Sequence, residues 1–204
     1  MLHLYVIRHG ETEWNKEKRS QGRLDSSLTH KGKADARSLG ASLQEIEFRQ
    51  IIASPSGRTL ETARLVKGDR MIPLLTDERL MEIHLGAWQG KTENEIKSLY
   101  PEEFEAYWNE PEDYESVGGE SFLQVQQRLV EFLEDLEKNV RDGNVLIVTH
   151  GVVIKNLYLL CRNSSIKHLW EPPFIFGTSL TIVKLDVGKK ELQLEACISH
   201  CTSS

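Results

Sequence analysis

Two histidines stand in closely similar surroundings although they are far apart along the chain. They lie in Arg8-His9-Gly10 and in Thr149-His150-Gly151, and each follows a run of apolar residues. A neutral imidazole is a fair nucleophile near pH 7, whereas an imidazolium can hold an anion. The arginine before the first histidine and Arg58 add fixed positive charge. Because guanidinium forks fit the oxygens of a tetrahedral oxyanion, these residue types predict a phosphate-binding site.

The hydrophobic pattern places these groups at one edge of a sheet. Apolar runs at 2–7, 51–53 and 145–148 predict buried strands, and each ends near one of the charged groups. Helices are predicted after Thr29, from Gly57 to Gly68, from Ser121 and after His150. Ligands of an open α/β sheet bind beyond the carboxyl ends of its strands. We therefore expect the charged groups to converge at that edge.

Strands that alternate with helices predict an α/β fold of three layers, α/β/α, with a mostly parallel sheet. Further strands are predicted at 71–75 and, at an edge or in a hairpin, at 192–198. Residues 84–120 interrupt this rhythm with short polar helices, so we expect a small helical insertion over the C-terminal edge that can act as a lid. The 204 residues contain no obvious linker, which predicts a single domain, 1–204.

Composition and charge limit the class of protein. Hydrophobic residues make up 39% of the chain and charged residues 27%, an ordinary balance for a protein with its own core. The net charge of −6 argues against a nucleic-acid partner. No apolar run approaches the roughly 18 residues of a membrane-spanning helix. Three cysteines and no secretory pattern at the N-terminus predict a cytoplasmic protein, and the oligomeric state stays open.

A metal centre is the main chemical alternative for the two histidines. Two histidines and a carboxylate can form a facial triad, but two nearby arginines would repel a divalent cation. Cys197, His200 and Cys201 also include zinc-binding residue types, although three ligands in a terminal segment are a weak signal. We therefore expect a site that uses neither a metal nor a cofactor.

Residues 4–15, LYVIRHGETEWN, closely resemble the signature of the histidine phosphatase superfamily, which includes the phosphoglycerate mutases. The resemblance continues in family order along the chain, at Gln21-Gly22, 25–29, Gly32, Ser54-Pro55 with Arg58, 61–63, Glu82 with Leu85-Gly86, Trp88 and Gly90, 118–121 and 148–151. A single Arg-His-Gly triplet would be weak support. The ordered set spans most of the chain and is far more specific.

The resemblance implies a role for each matching position. His9 would be the nucleophile that becomes phosphohistidine, and Glu82 would give a proton to the leaving group. Arg8, Arg58 and His150 would hold the phosphoryl oxygens and stabilise the charge of the transition state. Asn15, Gln21, Gly22 and Gly151 match positions that line the phosphate pocket in the family.

Physical chemistry adds three expectations for these residues. His9 needs one bare ring nitrogen, so its other nitrogen should donate to a backbone carbonyl. His150 should be protonated, since positive charge stabilises a phosphoryl transition state without a metal. Glu82 must give a proton and then take one from water, so its carboxyl group should titrate closer to neutrality than free glutamate.

The family contains hydrolases and mutases, and two features favour the hydrolases. The cofactor-dependent mutases are longer and typically have Glu-Arg-x-Tyr-Gly at the acid position, whereas residues 82–90 here are EIHLGAWQG. The chain resembles the broad-specificity bacterial phosphatases, also at 168–170, 172–173 and 177–179. We expect a metal-independent hydrolase of small phosphomonoesters that releases inorganic phosphate. A cofactor-dependent phosphoglycerate mutase and a non-catalytic phosphate-binding module are the alternatives.

Three groups of residues bear on the substrate. Seven acidic residues between 102 and 115 either form a solvated surface or repel a polyanionic substrate. The aromatic residues Trp88, Tyr100, Tyr107 and Trp108 either pack in the core or contact an apolar substrate body. The basic residues Lys16, Lys18, Arg19 and Arg23 either attract a second acidic group or are solvated. The sequence leaves each choice open.

Overall fold

A computed structural model describes residues 1–186 and 188–201, and in these ranges the chain forms one six-stranded sheet. The strands are β1 (Leu2–Arg8), β2 (Phe48–Ala53), β3 (Leu74–Thr76), β4 (Gly143–Thr149), β5 (Leu180–Asp186) and β6 (Lys189–Cys197). Their spatial order is β3-β2-β4-β1-β5-β6. The first four strands pair in parallel, and β5 pairs antiparallel with both β1 and β6. The sheet therefore has a parallel part, which ends beside the charged groups, and an antiparallel edge.

Seven α-helices connect these strands within the described ranges. They are α1 (Glu13–Lys16), α2 (His30–Ser42), α3 (Gly57–Lys67), α4 (Glu93–Leu99), α5 (Pro101–Asn109), α6 (Phe122–Asn139) and α7 (Gly151–Arg162). The side chains of Thr29 and Ser121 accept backbone N–H groups in the first turns of α2 and α6, which fixes where both helices begin. Short 3₁₀ helices lie at Glu78–Leu80, Gly86–Trp88 and Ile166–His168.

The sheet separates two hydrophobic cores because successive side chains of a strand point to opposite faces. Leu4 and Val6 of β1 pack in a cluster with residues of α6 and α7, whereas Ile7 packs with residues of α2 and α3. The predicted α/β class with three α/β/α layers is therefore confirmed. None of the helices in the described ranges has the length and apolar character needed to cross a bilayer.

The structure differs from the sequence prediction in two strands. The strand predicted at 71–75 is shifted in the structure to Leu74–Thr76 (β3). Pro73, directly before β3, accepts the N–H of Ile51 through its carbonyl but has no N–H of its own to donate. Strand β5 has no counterpart among the predicted strands; it pairs with β1 through six residues and supplies Val183 and Leu185 to the core. The strand predicted at 192–198 is confirmed up to residue 197 as part of the edge strand β6, which begins earlier, at Lys189.

The segment 84–120 contains α4 and α5, as the polar helical pattern predicts. An aromatic cluster attaches it to α6: the ring centroids of Trp88 and Tyr107 are 5.3 Å apart, and those of Tyr107 and Phe122 are 5.1 Å apart. Such pairs add to the free energy gained from burying the rings. That this segment moves as a lid, and that the chain is a single domain, stay predictions.

Candidate active site

A cavity of about 360 Å³ opens where β1 and β4 end at their carboxyl termini. Its walls include most of the residues that the sequence analysis selected, namely Arg8, His9, Asn15, Gln21, Gly22, Arg58 and Glu82. A neighbouring lobe of about 460 Å³ shares Arg8 and Glu82 with this cavity and includes Gly151. His150 lies behind the cavity wall and is fully buried. The structure therefore brings all nine selected residues to one edge of the sheet.

The two histidines are neighbours because their strands are neighbours. Arg8 of β1 lies opposite Thr149 of β4 in the parallel register, so His9 and His150 leave the sheet side by side. The His9 N–H donates to the Thr149 carbonyl at 3.0 Å, which continues the ladder one residue further. The two imidazole centroids are 5.3 Å apart.

The surroundings of His9 favour a neutral imidazole with one bare nitrogen. Its Nδ1 lies 2.8 Å from the Gly10 carbonyl, and a carbonyl oxygen only accepts, so Nδ1 carries the proton and Nε2 is bare. Burial lowers the pKa of His9 well below its ordinary value, and the charges of Arg58 and Arg8 lower it further, against the Gly10 hydrogen bond. This tautomer agrees with the sequence-based expectation for a nucleophile.

His150 differs from the protonated form expected from sequence. Its Nδ1 lies 3.1 Å from Nη2 of Arg58, and a guanidinium only donates, so Nδ1 accepts and carries no proton. Its Nε2 then donates to Oγ of Ser54 at 2.8 Å. Burial lowers the pKa of His150 well below its ordinary value, as do the charges of Arg58, His9 and Arg8. The expectation of a cationic His150 is wrong, because the guanidinium of Arg58 donates to Nδ1 and its positive charge opposes a second charge on the imidazole.

The guanidinium of Arg58 is held by hydrogen bonds to the loop at residues 22–25. Its Nη1 donates to the Leu24 carbonyl at 2.7 Å and to Asp25 Oδ1 at 2.9 Å, and its Nη2 donates to the Gly22 carbonyl at 2.8 Å. Gly22 has φ +53°, a backbone conformation that glycine adopts without strain. The first turn of α3 therefore carries a guanidinium whose orientation is fixed before any ligand arrives.

Arg8 and Arg58 each keep one buried N–H without a protein partner. Nη1 of Arg8 donates to the Ile175 carbonyl at 2.7 Å, but its Nε has no acceptor within the described part of the chain, and the same holds for Nε of Arg58. A buried donor without an acceptor costs about 1–3 kcal/mol. An oxyanion in the cavity would supply the missing acceptors to both arginines.

Glu82 follows the 3₁₀ helix Glu78–Leu80 and lines both the cavity and the neighbouring lobe. Its Oε1 accepts the Ile83 N–H at 3.0 Å, and its Oε2 is 3.5 Å from the Val152 N–H. Burial raises the pKa of Glu82, and these N–H groups and the charges of Arg58 and Arg8 only partly oppose it. This upward shift of the pKa agrees with the expectation that the Glu82 carboxyl group titrates closer to neutrality than free glutamate.

The remaining pocket positions present polar groups or leave space. Asn15 Oδ1 accepts from the Thr12 N–H at 3.0 Å, which leaves its amide NH₂ as the group available for a ligand. Gln21 is buried, and its Oε1 accepts from Ser26 at 3.3 Å. A Cβ at Gly151 would lie 3.9 Å from both Arg8 Nε and Glu82 Oε2, so residue 151 borders the space between these two groups.

Comparison with known proteins agrees with this geometry. The family model of the histidine phosphatase superfamily (branch 1) matches residues 4–197, nearly the whole chain. The chain belongs to the histidine phosphatase superfamily. This family membership supports a phosphatase hydrolase.

Relatives within the histidine phosphatase superfamily carry two kinds of name. The chain is 33% identical to phosphoserine phosphatase 1 of Hydrogenobacter thermophilus over 83% of this chain and 81% of that protein. It is 35% identical to a probable phosphoglycerate mutase, GpmB, of an Enterobacter species over 76% of this chain and 72% of that protein. The solved structure of Bacillus stearothermophilus YhfR superposes with a TM-score of 0.95 at 46% identity and covers 99% of this chain and 100% of that chain.

Aromatic side chains line both the cavity and the neighbouring lobe in this histidine phosphatase chain. Trp88, Phe104, Tyr107 and Trp108 line the cavity, and Trp170 and Phe174 line the neighbouring lobe. Trp88 and Tyr107 thus belong both to the hydrophobic core and to the cavity wall, so the two alternatives left open by the sequence are true together. Tyr100, in contrast, packs against the core and is not among the lining residues.

The sequence left open whether the acidic residues at 102–115 and the basic residues at 16–23 face the site, and the structure separates those that line the cavity from those that do not. The acidic residues at 102–115 are mostly exposed, and none is among the residues that line either lobe. Lys18 and Arg19 line the cavity, although Arg19 already contacts Glu17 and the Gly90 carbonyl. Arg23 pairs with Glu120 at 3.1 Å. Lys18 is thus the basic residue best placed to meet a second acidic group.

Sequence reasoning assigned no role to several residues that support the site. Ser54 accepts from His150, Asp25 pairs with Arg58, and the Thr178 N–H lies 3.1 Å from the Arg8 carbonyl and 3.3 Å from that of His9. Ser54 and Asp25 stand inside the family motifs, but nothing in their spacing indicates their partners. No group of three or more histidine, cysteine, aspartate or glutamate side chains suited to a metal ion occurs in the described ranges.

Proposed function

We propose that the protein is a metal-independent phosphomonoester hydrolase that acts through a phosphohistidine at His9. The observation that carries the proposal is the convergence of a neutral His9 with two fixed guanidinium groups and a partly buried carboxyl group in one cavity. Phosphoryl transfer depends mainly on positioning and electrostatic stabilisation, which this arrangement supplies. Family membership and the phosphatase names among the relatives support the same reaction.

In the first step, bare Nε2 of His9 attacks phosphorus, and the bond to the ester oxygen breaks as Glu82 protonates that oxygen. Arg8 and Arg58 donate to the equatorial phosphoryl oxygens through the N–H groups that lack protein acceptors. The Asn15 amide, Gln21 and the N–H groups of Gly22 and Gly151 line the rest of the anion pocket. In this scheme His150 acts as a neutral imidazole that holds the Nη2 side of Arg58 next to His9.

In the second step, water attacks the phosphoryl group and the bond between phosphorus and nitrogen breaks. Glu82, now a carboxylate, takes the proton of the attacking water, and inorganic phosphate leaves. The raised pKa of Glu82 suits both duties, because the group must hold a proton in the first step and accept one in the second. Each cycle restores neutral His9 and protonated Glu82.

The cavity supports broad specificity for small esters with an apolar or aromatic body. Its phosphate end is polar, whereas the wall beyond Glu82 includes Trp108, Trp170 and Phe174. Flat apolar walls discriminate weakly between bodies of similar size. The three free cysteines fit the reducing cytoplasm that we propose as the location.

The chemical test of this function is the phosphoenzyme. Wild-type protein mixed with ³²P-labelled p-nitrophenyl phosphate and quenched in alkali is expected to retain label that acid removes, as a phosphoramidate does. His9→Ala is expected to lose both the label and turnover, since no other group replaces Nε2. Unchanged turnover in that variant would remove the basis of the proposal. A non-catalytic phosphate-binding module would release no p-nitrophenol in either form.

A further inference from the structure

Glu82 has few contacts of its own that fix its carboxyl group. Within the described residues, that group accepts the N–H of the adjacent Ile83 and a long contact of 3.5 Å from Val152. Its position therefore depends on the backbone that carries it. A general acid must lie within hydrogen-bond reach of the leaving oxygen, so whatever fixes this backbone also affects proton transfer.

The backbone after Glu82 is fixed by Glu120. The His84 N–H donates to Glu120 Oε2 at 2.8 Å, and the Glu120 N–H donates back to the His84 carbonyl at 2.8 Å. One residue thus satisfies both backbone groups of His84, two positions beyond the acid. The approach is close: a Cβ at Gly119 would lie 2.0 Å from the His84 carbonyl oxygen, so only glycine fits there.

The backbone before Glu82 is fixed by Arg128 of α6. Its Nη1 donates to the Arg79 carbonyl at 2.6 Å, while Thr149 Oγ1 donates to the Leu80 carbonyl at 2.7 Å. The guanidinium also binds Glu120 with two hydrogen bonds, from Nε at 3.1 Å and from Nη2 at 3.2 Å. A single ion pair therefore joins the supports on the two sides of the acid.

This ion pair is shielded and charged. The side chains of Arg128 and Glu120 are only 14% and 17% exposed. Burial alone would raise the pKa of Glu120, but the hydrogen bonds from Arg128 and the His84 N–H, together with the charges of Arg128 and Arg23, hold it below its ordinary value. Glu120 is thus a carboxylate at neutral pH, and it accepts charge-assisted hydrogen bonds, which are stronger than neutral ones.

We propose that Glu120 and Arg128 form a clamp that positions Glu82 for proton transfer to the leaving group. Both are positioning residues, since neither is among the residues that line the cavity. The inference rests on the proposed function, because it requires Glu82 to be the acid. Its distinctive consequence concerns the leaving group: the clamp matters when the leaving oxygen needs a proton, and matters little when it does not.

The test compares kcat/KM for β-glycerol phosphate, whose alkoxide needs protonation, with that for p-nitrophenyl phosphate, whose phenolate does not. Glu120→Gln keeps the shape and one acceptor oxygen but removes the charge. It is expected to reduce kcat/KM for glycerol phosphate by roughly 10- to 100-fold, as a displaced catalytic group does, and to leave nitrophenyl phosphate near the wild-type value. Asp142→Asn is the matched control: it breaks a surface pair with Arg49 at the start of β4, and both substrates should be unaffected.

Glu82→Gln provides the reference for interpreting the result. If this variant shows no leaving-group selectivity, the proposed acid role itself fails. If it is selective and Glu120→Gln reduces both substrates equally, the acid role stands and the clamp is refuted. In the double variant Glu82→Gln with Glu120→Gln, the selectivity should equal that of Glu82→Gln alone, because a clamp has nothing to position once the acid is gone.

A second variant guards against a purely structural effect. Arg128→Met leaves residue 120 intact, removes the bond to the Arg79 carbonyl and is expected to show the same selectivity as Glu120→Gln. Thermal denaturation of each variant reports its folding. If neither variant folds, or if both fold without selectivity, the ion pair serves stability alone and the positioning role is overturned.

Discussion

The hydrogen bond between His150 and Ser54 gives a sharp quantitative prediction. Ser54 is fully buried, and its Oγ accepts the Nε2 proton of His150 at 2.8 Å. Ser54→Ala removes that acceptor and leaves a buried N–H unpaired, which costs about 1–3 kcal/mol. For a protein of this size, 1 kcal/mol shifts the melting temperature by about 2–4 °C. We therefore expect the variant to melt roughly 2–12 °C lower than the wild type, as the product of these two ranges.

The same substitution is expected to affect turnover. His150 Nδ1 accepts from Arg58, so a looser imidazole leaves the Nη2 side of the guanidinium less well held. A small displacement of a phosphate-binding group should lower kcat/KM for p-nitrophenyl phosphate by about tenfold, or more. The assays are calorimetric or fluorescence melting and steady-state hydrolysis.

The control for this prediction is Ser42→Ala. The Ser42 hydroxyl donates to the Leu39 carbonyl near the exposed end of α2, so its loss strands no buried donor. Its effect on the free energy of unfolding should stay within about 0.5 kcal/mol. If Ser54→Ala melts and turns over like Ser42→Ala, the tautomer assigned to His150 and its role in holding Arg58 are both wrong.

Four further predictions concern the two sides of the pH profile, metals and the mutase alternative. Because the pKa of Glu82 is raised, kcat/KM for alkyl phosphates should fall as the pH rises through that value, and Glu82→Gln should lack this decline. Because the pKa of His9 is lowered, activity should persist below about pH 6.5, where an ordinary histidine gains its proton; a loss there would contradict the neutral nucleophile. Dialysis against EDTA should leave turnover unchanged, since two guanidinium groups oppose a cation, and restoration by added metal would contradict this. Isomerisation of 3-phosphoglycerate should be far slower than aryl phosphate hydrolysis, and rapid isomerisation stimulated by 2,3-bisphosphoglycerate would favour the mutase.

The sequence was sufficient to predict the sheet-edge arrangement because local signals coincide there. Apolar runs that end in Arg-His-Gly and Thr-His-Gly identify strand ends, and parallel strands bring such ends together. Arg58 could be predicted because a helix start is visible after Ser54-Pro55. These inferences need only the spacing of apolar residues and the residue types at the ends of strands and helices, which a single sequence displays.

The protonation state of His150 could not be predicted in the same way. It depends on the contact between Arg58 Nη2 and His150 Nδ1. These residues are distant in sequence, and the spacing of residue types does not indicate such a contact. Strand β5 escaped prediction for a related reason: its stability comes from pairing with β1, and its short apolar pattern alone does not distinguish it from neighbouring loops. Tertiary partners decide both features.

The contribution of β1 and β4 to one site has a consequence for synthesis and breakage of the chain. His9 is made early and His150 late, and the ladder that joins them forms only when β4 inserts between β1 and β2. A growing polypeptide on the ribosome thus lacks the pair of adjacent histidines until nearly three quarters of its 204 residues have emerged. Likewise, two separated fragments of a chain cut between these strands would each lack one of the two histidines, and recovery of hydrolysis on mixing them would report that they had reassembled.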